Sequence, residues 1–189
     1  MQIQNVEIGA PINPTEGIGE LKIGMNVDSL KSLYEKSVEE KNDENSSEHI
    51  KWEKFVSRQS SRHVHFIYKN CIKIYLDLQS QTVSSITVFN GFKGKIDGVV
   101  GVGDTLKKYY DIHQLEFLEY EDGSFYFEID RRFMLFFDIG EHDGDFDSSD
   151  LPEKLLNLPI KRITLSGDKY GEMEDGKPAT YISTIVKET

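Results

Sequence analysis

The stretch IGMNVDSLKSLY, residues 23–34, is matched further along the chain by VGVGDTLKKYY, residues 100–110. Each has an apolar residue, a glycine, a short polar turn, then Leu30 or Leu106, and a tyrosine four residues on, Tyr34 or Tyr110. The second turn is one residue shorter. Two more blocks follow in the same order. YKNCIKIYLD (68–77) faces IDRRFMLFFD (129–138), which sets Ile72, Ile74 and Leu76 opposite Phe133, Leu135 and Phe137. VSSITVFNG (83–91) faces IKRITLSGD (160–168) through a shared Ile-Thr-aliphatic run. The offsets are 76, 61 and 77 residues, so a tandem repeat with insertions is expected.

One copy of the repeat has a simple physical reading. A glycine ends a short extended run, where the missing Cβ frees the turn. Asn26 or Asp104 is placed to cap the helix that follows. Val27, Leu30, Leu33 and Tyr34 are spaced for one helical face. Alternating strands come next. Val64, Phe66 and Tyr68 lie on one side, and Ile72, Ile74, Leu76 and Leu78 on one side of the next strand, with Lys69-Asn70 as a tight hairpin turn. SFYFEIDRRFMLFFDI repeats the scheme, with Asp130-Arg131 near its turn. The first copy carries a polar insertion at 35–49. The second carries an acidic one after its hairpin, then LPEKLLNLP, a short helix bounded by prolines. The final ATYISTIVKE alternates as a strand. The expected fold is α+β: two tandem helix-plus-antiparallel-sheet modules. Residues 1–94 form the first, with an N-terminal extension; 95–189 form the second, with the acidic insertion and a C-terminal strand.

The chain has 189 residues, 38% hydrophobic, with 11 Phe and 9 Tyr, which is enough for a core. No apolar run approaches the ~18 residues of a membrane span. The N-terminus has neither the basic nor the apolar region of a secretory signal. Cys71 is the one cysteine and falls in a strand, so it reads as a packed thiol. These features point to the cytoplasm. The net charge of −11 is unevenly placed. Residues 1–96 carry 12 acidic and 12 basic side chains; residues 97–189 carry 21 acidic and 10 basic. Such a field repels nucleic acid and attracts basic surfaces.

The Ile23-Gly24-Met25 turn into a helix, the hairpin and strand after it, and the tandem repetition resemble the module shared by β-lactamase inhibitor protein and the small outer-membrane-assembly lipoproteins. That resemblance implies a protein-binding module without catalysis. The chain lacks the lipidated cysteine of the lipoproteins and the paired cysteines of the secreted inhibitor, which speaks against an envelope location. Small size, acidity and a cytoplasmic profile are also similar to bacterial toxin immunity proteins, antitoxins that neutralise a cognate toxin by direct binding.

Local chemistry motifs are incomplete. Asp143, Asp145 and Asp147 alternate like the start of a calcium loop, but Ser148 and Lys154 stand where that loop needs glycine and a bidentate glutamate. His63 and His65 share one strand face, as a metal pair would, and His142 could join them only through folding. GVVGVGDT (98–105) lacks the lysine of a phosphate-binding loop. No nucleophile–base arrangement is indicated, so no catalytic residue, metal or cofactor is expected, though a site assembled in space leaves no local motif.

The acidic insertion remains. FDIGEHDGDFDSSD, residues 137–150, holds six carboxylates and neither lysine nor arginine. It reads as a solvated loop or as a docking element. As a docking element it joins Asp138, Glu141, Asp143, Asp145, Asp147 and Asp150 to Glu116, Glu119, Glu121 and Asp122, with Tyr120, Phe125 and Phe146 as aromatic anchors. The expected partner is a basic protein, such as a toxin domain with nuclease activity. A non-enzymatic adaptor or assembly module is the alternative; no membrane partner is expected.

Overall fold

Period-two alternation dominates the long apolar runs, and a backbone that alternates this way stabilises itself by pairing edge to edge. The computed structural model describes residues 2–37, 63–77, 79–113, 118–119, 125–130, 133–139 and 156–167, with backbone alone at 63, 112–113, 118–119, 125–130, 133–134 and 136. Within these residues the fold is mostly β. The long strands are β4 (His63–Tyr68), β5 (Ile72–Asp77), β6 (Thr82–Val88), β10 (Phe125–Asp130), β11 (Phe133–Asp138) and β12 (Arg162–Gly167). With the short β9 (Leu118–Glu119) they form one antiparallel seven-stranded sheet in the order β4-β5-β6-β12-β11-β10-β9. Five two-residue strands make a second sheet: β1 (Ile12–Asn13), β2 (Gly17–Ile18), β3 (Leu21–Lys22), β7 (Lys95–Ile96) and β8 (Val100–Gly101), in the order β3-β2-β1-β7-β8.

The antiparallel sheets agree with the α+β expectation, but two modules, each a helix on its own sheet, are not supported. The helices are short: a 3-10 turn Val27–Leu30 running into α1 (Lys31–Glu35), and α2 (Lys107–His113). The long strands of both halves join through β6 and β12. The physical reason is the open edge. Separate half-sheets would each leave a strand with unpaired N–H and C=O groups, and pairing β6 with β12 satisfies both.

One face of the large sheet is the core. Phe66, Ile74, Ile86, Leu165 and Leu135 pair across it in one row, and Tyr68, Ile72, Val88, Ile163 and Phe137 in the next; all ten are buried. Leu30 and Leu33 from the first helical segment, and Leu106 and Tyr109 at the second, are buried in the same cluster. Tyr34 meets Phe66 edge-on at 5.5 Å, and Tyr109 lies 5.0 Å from Phe137. The turn at Lys69-Asn70 takes positive φ at both residues (52° and 54°), the backbone twist that suits a tight hairpin.

The N-terminal segment is a strap rather than a loose extension. Ile3 N donates to Ser29 O, Tyr68 Oη to Asn5 Oδ1 and Lys69 Nζ to Val6 O, while Ile8 O accepts from the amides of Lys93 and Gly94. β1 then lies between β2 and β7, antiparallel to the first and parallel to the second. The strand expected at 179–188, Arg131 of the expected Asp130-Arg131 turn, most of the 35–49 insertion and residues 151–155 of the expected helix lie outside the described residues; of the remainder of that helix Leu156 is helical and 157–159 run through a turn into the Thr105–Pro159 bridge.

Candidate functional site

Asp138 and Glu119 are the members of the acidic surface that fall within the described residues. Tyr120, Glu121, Asp122, Glu141, Asp143, Asp145, Phe146, Asp147 and Asp150 lie outside them, as does Glu116, and Phe125 is described as backbone alone. The register sets Glu119 opposite Phe125, and Phe125 opposite Phe137, so Glu119 and Asp138 sit at the same end of the large sheet. Two strand spacings separate them, about 10 Å. The chain that follows Glu119 and the chain that follows Ile139 both start from this end. Asp138 is half-buried, and its Oδ2 lies 3.4 Å from Arg162 Nε; its carbonyl accepts from Lys161 N at 2.7 Å. The described root of the acidic insertion is therefore flanked by two basic residues of β12 and its lead-in.

The outer face of the same sheet is chemically distinct from its core face. His65, Tyr75, Ser85 and Ser166 form one row, and Ile67, Lys73, Thr87 and Thr164 the next. The small hydroxyl residues lie on the central strands, with larger side chains beside them on β4 and β5. The rings of His65 and Tyr75 are 5.4 Å apart, Lys73 Nζ stands 5.4 Å from the Tyr75 ring centre, and Thr87 Oγ1 lies 2.7 Å from Thr164 Oγ1. The His65 ring packs beside that of Tyr75, and among the described residues no three His, Cys, Asp or Glu side chains gather as metal ligands would. The Ser-Ser-Ile-Thr and Ile-Thr-Leu-Ser runs carry this polar stripe in the sequence, where it reads as ordinary alternation.

The glycine loop 98–105 is closed to phosphate by its own bonds. Gly101 N donates to Asp104 Oδ2 at 3.0 Å and Gly103 N to Ile160 O at 2.8 Å. Asp104, expected to cap the next helix, reaches back to Gly101 and also takes Lys95 Nζ at 2.9 Å and Lys108 Nζ at 2.5 Å. Asn26 does cap, accepting from Asp28 N at 2.9 Å. Cys71 is buried, and that burial pushes its thiol up despite the opposing Lys69 charge, which suits a packed residue.

The Asp104 clamp yields a testable effect. Desolvation pushes its carboxyl up, but hydrogen bonds from Lys108, Lys95 and Gly101 N outweigh it and hold the group at about 2, against an ordinary 3.8. A carboxyl lowered in the fold adds stability above its unfolded pKa and loses it as pH falls through the folded one. Asp104→Asn is expected to cost roughly 1–2 kcal/mol at pH 7, since both lysines are half exposed and screened. Thermal melts of the two proteins should converge as pH drops from about 4 towards 2. A gap that persists at pH 2 would mean that the carboxylate's charge is irrelevant to the clamp.

Comparison with family models, curated proteins and solved structures found no match. Among the described residues no helix is long and apolar enough to cross a membrane.

Proposed function

We propose that this chain is a non-enzymatic inhibitor of the immunity-protein kind. It binds a basic cognate toxin domain, a nuclease being one of suitable charge, and occludes its cationic cleft with the carboxylates of its second half. The observation that carries this reading is the charge division: 21 acidic against 10 basic residues after residue 96, and 12 against 12 before it. The common end of the sheet from which the Glu119 and Asp138 segments continue supports it, because that gives two acidic segments one starting place. Steering by such a field speeds association and weakens with salt. The reading includes a cytoplasmic location and the tandem architecture similar to β-lactamase inhibitor protein.

A second reading, an adaptor or assembly module that binds another protein, does not depend on the acidic surface.

The test changes Asp143, Asp145 and Asp147 together to Asn. The partner is first captured from the source cell or taken as the product of the neighbouring gene. Association rates are then measured across a salt series. The native protein's rate should fall more steeply with salt than the triple variant's, and any desolvated pair lost should weaken affinity by about 2–5 kcal/mol. Equal slopes and equal affinities would remove the loop from the interface and favour the second reading.

A further inference from the structure

The strand pairings relate the two halves more closely than their shared composition does. Gly24 N donates to Val83 O, Val83 N to Met25 O, and Val27 N to Gln81 O. In the second half Gly103 N donates to Ile160 O, Ile160 N to Asp104 O, and Leu106 N to Leu158 O. The donors and acceptors in the turn are displaced by a constant 79 residues, and those leading into β6 and β12 by a constant 77. The isolated bridges Asn26–Thr82 and Thr105–Pro159 keep the same two offsets. The small hairpins agree: Gly17–Lys22 and Ile18–Leu21 correspond to Lys95–Gly101 and Ile96–Val100.

The seam between β6 and β12 then has a special property. With an offset of 77, Thr164 is the counterpart of Thr87, and these two residues are paired directly opposite each other. Val88 lies opposite Ile163, the counterpart of Ile86, while Ile86 lies opposite Leu165, the counterpart of Val88. A surface that meets itself so that i touches j and j touches i is the signature of a twofold interface. The axis passes between the Thr87 and Thr164 hydroxyls, 2.7 Å apart. The small sheet keeps the same symmetry, with the β2–β3 and β7–β8 hairpins on either side of β1.

We infer that the β6–β12 seam is a self-complementary dimer interface held within one chain, and that its partner in trans is a second copy of this chain. One half of each copy would pair with the other half of its neighbour, retaining every strand pairing. The segment that decides between the closed and exchanged forms is Phe89–Gly94, between β6 and β7. It folds back through a turn in which Phe92 N donates to Phe89 O at 3.0 Å and Gly91 takes φ 101°. Opening that turn leaves the seam itself untouched. This inference is independent of what the acidic surface binds.

The test uses the full chain with Cys71→Ala, Thr87→Cys and Thr164→Cys, and two forms of the connection: deletion of Asn90 and Gly91, or Gly91→Pro, which forbids the positive φ. With the connection intact the protein should run at 21.7 kDa in light scattering, and oxidation should link the two cysteines within one chain. With either altered connection the mass should double, the far-ultraviolet spectrum should stay the same, and the link should join two chains on a non-reducing gel. An altered protein that remains a native-like monomer overturns the inference. So does a dimer without the interchain link, which would use another surface. Failure of both altered forms to fold also overturns it, because the exchanged dimer loses one turn and no strand pairing.

Discussion

Replacing Gly94 by alanine is expected to cost the fold about 3 kcal/mol or more, a large fraction of an ordinary domain's stability. A Cβ at this position would lie 1.9 Å from Ala10 O and 2.5 Å from Phe92 Cε1. The first contact is with backbone, which cannot swing aside as a side-chain tip can. Relief requires the N-terminal strap to lift, and that breaks the bonds from the Lys93 and Gly94 amides to Ile8 O, at 2.7 and 3.2 Å. Gly24 is the control. It needs a left-handed backbone (φ 78°) but a Cβ there would meet nothing within 4 Å, so Gly24→Ala should cost only about 1 kcal/mol. Urea unfolding of both variants gives the comparison. Equal midpoints would show that the strap does not press on residues 93–94 in solution.

Truncating Phe137 to alanine is expected to cost about 3–5 kcal/mol. The residue is fully buried on β11, opposite Ile163 and beside the Tyr109 ring. Removing its ring leaves a hole bounded by the sheet on one side and α2 on the other, and neither wall can close it without disturbing strand register. Tyr109 reports the same enclosure: burial, with a smaller contribution from Asp97, pushes its phenol up to about 12. Tyr110→Ala, one residue along and more exposed, should cost clearly less than Phe137→Ala. Guanidine unfolding of the pair separates the two. A small loss for Phe137→Ala would show that the second half is not packed as a core.

The strands and the core face were legible because alternation reports burial directly: Ile72, Ile74 and Leu76 read as inward and are buried. The register between the halves was not. Comparing residues set Ile72 against Phe133, whereas the pairings on β6 and β12 set it against Leu135, two residues along. A slip of two keeps every side chain on its face, so the apolar pattern cannot detect it. Leu30 was likewise set against Leu106, while the hydrogen bonds set Val27 there, a slip of three. Three residues are nearly one helical turn, and the face again survives. Each mismatch is one period of the structure it falls in. The joining of β6 to β12 left no trace in either pattern, because alternation marks a strand without naming its neighbour. At the candidate site, charge was legible by simple counting. The polar stripe Ser85–Thr87–Thr164–Ser166 was hidden because it depends on that same unseen pairing.

The position of β1 also sets a timetable for synthesis. Ile12 emerges from the ribosome before its parallel partner Ile96, which follows 84 residues later. At about 5–20 residues per second that is an interval of roughly 4–17 s. During it, the β2–β3 hairpin can form against β1, but the far side of β1 has no strand to meet. The nascent chain therefore carries an open edge along β1, and closes it only after the second half has started to appear.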